Sequence, residues 1–298
     1  MSALHEDPYW PRASSWLAGD HEPAAVRRLA VIGAPVRLGS ITPGRCDLAP
    51  AAIRSALARF STYDVQHRVD VRSIAARDYG DLPITHDTPE LILNPVSNAV
   101  RAALAEADAV VLLGGDNSIT RAGCHGLGRC GLITFDAHYD VRHLDRGLNN
   151  GNPVRALLED GYEGRNIIQI GIQSFANSQV YANFARKAGI RLVTAEEAQK
   201  RGMESVVREA LDVIHVDQVY VDIDLDVLDR AYAPATPGSR PGGLTPGQIR
   251  LAARVCGLHP KVKAIDLVEI DPEKDIADLT ALTAASCLLS FASGLAER

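Results

Sequence analysis

The sequence predicts an α/β fold in which helices cover both faces of a mostly parallel sheet. Short apolar runs typical of strands alternate with longer stretches typical of helices, and this alternation indicates right-handed βαβ units. Several of the apolar runs end in acidic residues. Because sheets of this kind bind ligands beyond the carboxyl ends of their strands, we expect the functional site at that edge.

The predicted elements follow one another along the chain. The strands are 28–33, 108–115, 131–136, 166–172, 190–195, 218–226 and 262–271. The helices include 50–61, 88–106, 152–160, 178–188, 195–214 and 246–255. Thr245 and Pro246 mark the start of the last helix, since threonine caps a first turn and proline fits its first position.

Length and composition favour one ordinary globular domain. The 298 residues are 46% apolar and 23% charged, with no fixed-period repeat and no Gly/Ser-rich linker, so a single large core is expected. We therefore predict one domain over residues 1–298. Residues 1–27, which include Trp10 and Trp16, are expected to form an arm on the surface or on a neighbouring subunit.

Composition also argues against several classes of function. The net charge of −6 and the lack of a basic block disfavour nucleic acid as a partner. The N-terminus has no basic segment followed by an apolar core, and we identify no apolar run that approaches membrane-spanning length. We therefore expect a cytoplasmic protein without a membrane partner. The five cysteines are scattered and form no C-x-x-C pair, which predicts buried thiols.

Two strand ends carry acidic or imidazole side chains at every second position. They are Asp136, His138 and Asp140 in one segment, and Asp222, Asp224 and Asp226 in the other. Extended backbone places alternate side chains on the same side, so each trio should project together. Two further strand ends contribute Asp116 with Asn117 and, later in the chain, Glu269.

Carboxylates that converge at one edge require a cation. Desolvated like charges a few ångströms apart repel by roughly several kcal/mol. Taken singly, Asp116, Asp229 and Asp271 are interpreted as turn or cap residues, but caps need no alternation at two separate strand ends. Oxygen ligands with one imidazole suit Mn²⁺ or a similar divalent ion better than structural Zn²⁺. Paired ions of this kind lower the pKa of bound water, which points to hydrolysis.

The same motifs resemble those of a known family. GGDNS, DAHYD, DIDLDVLD and VEID are similar to the four motifs of the ureohydrolases, the family of arginase, agmatinase and formimidoylglutamase, and residues 32–54 resemble its N-terminal segment. The resemblance covers the chain from about residue 30 to the C-terminus. It implies a three-layer α/β/α sandwich with an eight-stranded parallel sheet and two Mn²⁺ ions. It also implies hydrolysis of a C–N bond at an amidine or guanidine carbon, and a homo-oligomer that is a trimer or hexamer.

The resemblance further implies a set of metal ligands. Asp136 and Asp224 would bridge the two ions. His138 and Asp226 would bind one ion, and Asp140 would bind the other.

Three positions depart from the family pattern. Asn117 replaces the histidine of the usual GGDHS motif. Its amide oxygen can ligate Mn²⁺ but is a weaker donor than imidazole, so we expect one loosely held ion. An alternative is a degraded site in a protein that has lost activity. Asp222 stands where the family commonly has serine, and Arg230 where it commonly has proline. Asp222 could support the ligands from behind or hydrogen-bond to a neighbouring loop.

Catalytic candidates follow from the charge of the substrate. A carboxylate near the nitrogens of an amidinium would hold and orient it, and the resemblance assigns this role to Glu269, which could instead cap backbone amides. Asp140 could pass a proton to the leaving nitrogen. The loop histidine of arginases and agmatinases has no counterpart here. His143 is therefore the alternative proton shuttle, unless it is simply solvated.

Arg142 bears most on the identity of the substrate. It matches the position from which the family contacts the far end of the substrate. An arginine there favours a carboxylate, although it could equally pair with Asp145. Further candidates for substrate binding are Asn150, Asn152, Arg155, Gln173 and Asn177.

The family resemblance, together with Arg142, therefore implies formimidoylglutamase activity as the expected function, in which N-formimino-L-glutamate and water give L-glutamate and formamide in histidine degradation. The alternatives within the enzyme class are an agmatinase or a guanidino-acid hydrolase, either of which releases urea. A catalytically silent metal-binding subunit stays open as well, because of Asn117 and the missing loop histidine.

Overall fold

Eight parallel strands form the central sheet of the computed structural model, which describes residues 7–19 and 27–298. The strands are β1 Arg28–Ala34, β2 Tyr63–Asp64, β3 Val69–Asp70, β4 Ala75–Asp81, β5 Ala109–Gly114, β6 Gly131–Phe135, β7 Ile167–Ile172, β8 Arg191–Thr194, β9 Val219–Asp224 and β10 Val262–Val268. The order in the sheet is β4-β1-β5-β10-β9-β6-β7-β8, and every neighbouring pair is parallel. β2 and β3 form a small antiparallel pair outside it. The predicted eight-stranded parallel sheet is confirmed.

Helices pack on both faces of the sheet. They are α1 Ala13–Leu17, α2 Ala49–Leu57, α3 Leu93–Leu104, α4 Ile119–Leu127, α5 Pro153–Glu159, α6 Gln179–Lys187, α7 Ala195–Arg201, α8 Met203–Val213, α9 Pro246–Leu258 and α10 Leu279–Ala296. Alternate residues of a strand face opposite layers. Val111 and Leu113 of β5 belong to a core with α1, α2 and α7 to α10, whereas Val110 and Leu112 belong to a core with α3 to α6. The three-layer α/β/α sandwich is therefore confirmed.

Several elements differ from the predicted ones. β4 is absent from the predicted strands because its sequence, AARDYGD, is polar and partly exposed at the edge of the sheet. The predicted helix 195–214 is instead two helices, which Gly202 separates with a φ of +85°, a conformation that glycine adopts without strain. α1, α4 and α10 are also not among the predicted helices.

α10 corrects one expectation about membrane-spanning length. Its 18 residues have a mean hydropathy of 1.6, so by length and composition it is apolar enough to cross a membrane. The expectation that no apolar run approaches that length is therefore wrong. In the fold, 78% of this segment is buried, and it packs on α9 and α2. A side chain at Gly257 of α9 would collide with the backbone of α10, so the two helices are in close contact.

Helix α1 of the N-terminal arm lies against its own chain, whereas residues 7–10 before it are exposed. Trp16 of α1 is 2% exposed, and its indole Nε1 donates a hydrogen bond to the backbone oxygen of Ile74 at 3.1 Å. Ala13 and Leu17 are buried beside it. This helix therefore differs from the expected surface arm, while residues 1–6 and 20–26 of the arm lie outside the described part.

Candidate metal centre

The four central strands of the sheet carry the predicted site residues at their carboxyl ends. Asn117 follows β5, the segment 136–140 follows β6, Asp224 ends β9, and Glu269 follows β10. These strands are neighbours in the order β5-β10-β9-β6. Parallel topology thus brings together residues that are far apart in the sequence.

His138 lies within a tight group of acidic side chains. Its Nδ1 is 2.9 Å from Oδ2 of Asp226 and 3.4 Å from Oδ1 of Asp136, and the donor atoms of these three residues lie within 4.8 Å of one another. The other oxygen of Asp136, Oδ2, is buried and has no hydrogen-bond partner among the described residues. One imidazole and two carboxylates, one of which has a buried oxygen without a partner among the described residues, fit a divalent cation of the Mn²⁺ type.

Burial of several carboxylates together shifts their pKa values. Burial and the neighbouring Asp226 raise the pKa of Asp136 to about 6. Burial and nearby carboxylates also raise the pKa values of Asp140 and Asp224 well above the usual range. Burial alone would lower the pKa of His138, but Asp226 and Asp136 raise it to about 11. The group therefore favours a positive charge in its midst, whether a proton or a metal ion.

The strand ends meet at one edge of the sheet as predicted, but the predicted extended backbone within each trio is wrong. β6 ends at Phe135 and β9 at Asp224, so the backbone is not extended through either trio. The carboxylate at each strand end instead accepts a backbone hydrogen bond that stabilises a turn. Asp136 accepts a hydrogen bond from the backbone N–H of His138 at 2.6 Å, and Asp224 accepts one from that of Asp226 at 2.8 Å. Local side chain to backbone bonds of this kind compete with strand pairing.

Asn117 and Asp140 form the second side of the site. Nδ2 of Asn117 donates to Oδ2 of Asp140 at 2.7 Å, and its Oδ1 lies 2.6 Å from the hydroxyl oxygen of Thr120. That hydroxyl oxygen is also 2.8 Å from Oδ2 of Asp266. The hydroxyl therefore has two acceptors within reach and only one proton to donate.

Rotating the Asn117 amide by half a turn removes this conflict. Nδ2 would then donate to the hydroxyl of Thr120, and the hydroxyl would donate to Asp266. Oδ1 of Asn117 would face Asp140. The two amide orientations have the same shape. The rotation replaces the bond from Nδ2 to Asp140 by two facing oxygens, which a cation or a proton on Asp140, whose pKa is raised, would join. The rotated amide presents an oxygen ligand beside Asp140, as the predicted role of Asn117 requires.

Asp222 lies behind the site and faces another carboxyl. It is opposite Asp266 on the neighbouring strand β10, and neither of its oxygens accepts a hydrogen bond from a described residue. Burial and then Asp266 raise the pKa of Asp222 well above the usual range, so a protonated Asp222 can donate to Asp266. Asp266 also accepts from the hydroxyl of Tyr220 at 2.8 Å. Of the two expected roles for Asp222, the described contacts favour support from behind over a bond to a loop.

Glu269 is a buried acid that both caps a backbone amide and lines the site. It is 3% exposed and has a φ of +65°. Its Oε1 accepts from the backbone N–H of Asn117 at 2.7 Å and from Nδ2 of Asn150 at 2.9 Å. Burial, followed by the charge of Asp116, raises its pKa to about 8. A cationic ligand would stabilise the ionised form of such a buried carboxyl group.

A cavity of about 340 Å³ opens onto the candidate metal centre. Its acidic lining consists of Asp140, Asp224, Asp226 and Glu269. Arg142 is exposed in its wall and forms no ion pair with Asp145 or with any other described residue. The expected alternative role of Arg142, a local ion pair, is therefore not observed.

Arg240 also lines the cavity, and the sequence reasoning missed it. The available signal was an arginine in the turn GSRPGG, which follows an acidic strand end. Nothing in the spacing shows that this turn returns to the cavity, because residues 228–239 form no helix and no strand of the main sheet.

Asn150 and Asn177 also line the cavity. Asn150 donates to Glu269 and accepts from the backbone of Ile41 at 3.0 Å. Asn177 accepts from the backbone N–H of Tyr139 at 3.0 Å and donates to a backbone oxygen of the same segment at 2.9 Å. Both side chains therefore hold the loops of the cavity wall while they face its interior.

Two of the predicted metal ligands, Asn117 and Asp136, are not part of the cavity lining. Four predicted catalytic and substrate-binding residues also lie outside it, namely His143, Asn152, Arg155 and Gln173. Asn152 and Gln173 are buried and donate to backbone oxygens of nearby loops. The guanidinium of Arg155 lies 4.3 Å from the ring centroid of Phe184, and the ring of His143 packs against a tyrosine. These side chains support the surrounding loops rather than the cavity surface.

Comparison with known proteins finds relatives across nearly the whole chain. The model of the arginase family matches residues 27–293. A formimidoylglutamase from Halalkalibacterium halodurans is 35% identical over 275 residues, which are 89% of this chain and 86% of the relative. The crystal structure of formimidoylglutamase from Bacillus subtilis has a TM-score of 0.89 at 31% identity, covering 99% of this chain and 95% of that one. A structure of Trypanosoma cruzi formiminoglutamase with Mn²⁺ has a TM-score of 0.86 at 25% identity, covering 97% and 99%.

Proposed function

The chain belongs to the arginase family, and we propose on that basis that it is a manganese-dependent formimidoylglutamase. Its reaction is the hydrolysis of N-formimino-L-glutamate to L-glutamate and formamide, a step of histidine breakdown. The relatives described above that carry this name support the assignment. The single observation that carries the choice of substrate is Arg142, an exposed guanidinium in the cavity wall without an ion pair among the described residues. Carboxylates are the preferred partners of such a group.

Six residues are proposed to hold two Mn²⁺ ions. They are Asn117, Asp136, His138, Asp140, Asp224 and Asp226. When bound, manganese supplies a Lewis acid that makes water nucleophilic near neutral pH. The donor set supports this proposal because it combines carboxylate oxygens with one imidazole at short range. Asn117 is the weakest of these donors, so one ion is expected to be held less tightly.

The other proposed roles follow from the charges around the cavity. Glu269, a buried carboxyl, holds the amidinium of the substrate and fixes its orientation. As water forms the new C–O bond, the C–N bond to the glutamate nitrogen breaks. Asp140 carries the proton from water to that nitrogen. Arg142 binds a carboxylate of the substrate, while His143 receives no role because it does not line the cavity.

Two other functions remain as outcomes of the test. An arginine in the cavity wall opposes agmatine, whose far end carries no negative charge, but it accepts a guanidino acid. A silent metal-binding subunit would retain His138 with its neighbouring carboxylates Asp136 and Asp226 but would catalyse no reaction.

The test offers Mn²⁺-loaded protein four substrates: formiminoglutamate, guanidinobutyrate, arginine and agmatine. Formamide and urea are both measured, and formamide from formiminoglutamate is the expected product. Urea from a guanidino compound without any formamide would reject the proposal, and no turnover of any substrate would favour the silent subunit.

Arg142→Ala tests the carboxylate contact within this assay. We expect a large rise in KM with a modest change in kcat, because the contact is the same in the bound substrate and in the transition state. Arg146→Ala is the matched control, since Arg146 is an exposed arginine of the same loop outside the cavity lining. An unchanged KM in Arg142→Ala would remove Arg142 from the site.

We also propose that the protein is a cytoplasmic homo-oligomer, a trimer or hexamer, which acts on a small molecule and needs neither nucleic acid nor a membrane. Sedimentation equilibrium measures the subunit number. A monomer at micromolar concentration would contradict this part of the proposal.

A further inference from the structure

We propose that Arg240 is a second substrate-binding arginine, which contacts the carboxylate nearest the amidine group and makes the site selective for dicarboxylate substrates. This inference rests on the proposed function, because it states how that site recognises its substrate. Arg240 and Arg142 are the arginines among the residues that line the cavity.

The backbone that carries Arg240 is held firmly in place. Ser239 is 4% exposed, and its hydroxyl donates to the backbone oxygen of Ala233 at 3.0 Å. The guanidinium of Arg230 donates to the backbone oxygens of Thr236 at 3.2 Å and Ser239 at 3.3 Å. The backbone N–H of Arg230 donates to the backbone oxygen of Arg240 at 3.1 Å. The loop is therefore fixed, and the exposed side chain of Arg240 extends from a rigid base.

The guanidinium of Arg240 lies beside the group formed by Asp136, His138 and Asp226. Its Nη1 donates to the backbone oxygen of Gly238 at 2.7 Å and lies 2.8 Å from Nε2 of His138. The other ring nitrogen of His138 contacts Asp226, so one imidazole ring separates Arg240 from the carboxylates. No hydrogen bond from Nε or Nη2 and no ion pair of Arg240 occurs within the described residues. These two donors can bind a carboxylate with parallel hydrogen bonds.

Nη1 of Arg240 faces a ring nitrogen that would be a donor if the site held an ion. If Nδ1 of His138 held a divalent ion, the ring proton would lie on Nε2. Nε2 and Nη1 of Arg240 would then both be donors without an acceptor between them. A carboxylate beside the ring offers an acceptor to both groups.

Two arginines match the two carboxylates of N-formimino-L-glutamate. One carboxylate is bonded to the carbon next to the amidine nitrogen, and the other ends the side chain. Arg240, one ring away from the acidic group, suits the near carboxylate, and Arg142 suits the remote one. A guanidino acid with a single remote carboxylate would use Arg142 alone, so Arg240 distinguishes these two substrate classes.

The test compares N-formimino-L-glutamate with its analogue N-formimino-4-aminobutanoate, which lacks the near carboxylate. In Arg240→Gln, kcat/KM for the dicarboxylate should fall about 100-fold, mainly through KM, because a charge-assisted contact of this kind is worth about that factor. The value for the monocarboxylate should change less than about threefold. Arg240→Lys should recover part of the loss, and Arg146→Gln should behave as the unmodified protein.

A binding measurement keeps the proposal testable without turnover. Calorimetry on the Mn²⁺-loaded protein compares L-glutamate with 4-aminobutanoate, and only the affinity for L-glutamate should weaken in Arg240→Gln. Equal losses for both substrates, or no loss for either, would overturn the role of Arg240. The same holds if the unmodified protein binds L-glutamate no better than 4-aminobutanoate. Failure of the unmodified protein to hydrolyse formiminoglutamate would instead reject the proposed function.

Discussion

The two sides of the candidate metal centre are built from neighbouring strand ends but differ in charge. On the His138 side, Asp136, His138 and Asp226 bring two carboxylates and an imidazole within 4.8 Å. On the Asn117 side, Asp140 meets the neutral amide of Asn117 at 2.7 Å. Carboxylates attract a divalent ion in any orientation, whereas an amide does so only with its oxygen. The comparison indicates that charge defines the first side and hydrogen bonding defines the second.

The largest effect is expected from Asp226→Asn, which removes a charge from the His138 side. Mn²⁺ affinity at that side should fall by more than about 100-fold, since even supporting groups of metal sites are worth 10- to 100-fold. Calorimetric titration measures the affinity. Asp217→Asn is the control, because Asp217 is exposed and precedes β9 at the opposite end of the strand. Equal affinities in Asp226→Asn and the unmodified protein would show that charge does not define this side.

Asn117→His should have the next largest effect and acts on the Asn117 side. Imidazole is the stronger donor, so the weaker Mn²⁺ ion should bind about tenfold more tightly or better, while the tighter ion is unaffected. Asn117→Ala should lose the weaker ion. Titration of both variants checks this, and identical binding in the two would show that residue 117 is not a ligand.

Thr120→Val should give the smallest of these effects. With the Asn117 amide rotated as proposed above, valine could neither accept from its Nδ2 nor donate to Asp266, so nothing at residue 120 would hold the amide oxygen toward Asp140. The weaker ion should lose about tenfold in affinity, as for other groups that orient a ligand. Thr120→Ser keeps the hydroxyl and should retain the affinity of the unmodified protein. If valine and serine gave the same affinity, the hydroxyl would have no part in orienting the amide.

Long-range features of the site could be predicted from the sequence, and local ones could not. Asp136 and Asp224 end separate apolar runs, and parallel topology alone makes such ends adjacent. The turns that follow depend on hydrogen bonds from each carboxylate to the backbone two residues later. Alternation along an extended strand selects the same side chains as these turns do. The sequence therefore predicted which side chains lie together but not the backbone conformation that brings them together.

Other features depend on contacts that a single sequence does not reveal. The orientation of the Asn117 amide depends on Thr120 and Asp266, which lie on different elements. Arg240 reaches the cavity through a loop held by Arg230. The edge strand β4 was not predicted because its residues are too polar and exposed to give an apolar run.

The central claim is that acidic strand ends converge on two unequal sites for divalent ions. Titration of the metal-depleted, unmodified protein with Mn²⁺ tests it most directly. Two ions per chain with clearly different affinities are expected, and a chelator should remove the weaker ion first. Two equally tight sites, or no binding of Mn²⁺, would contradict the claim.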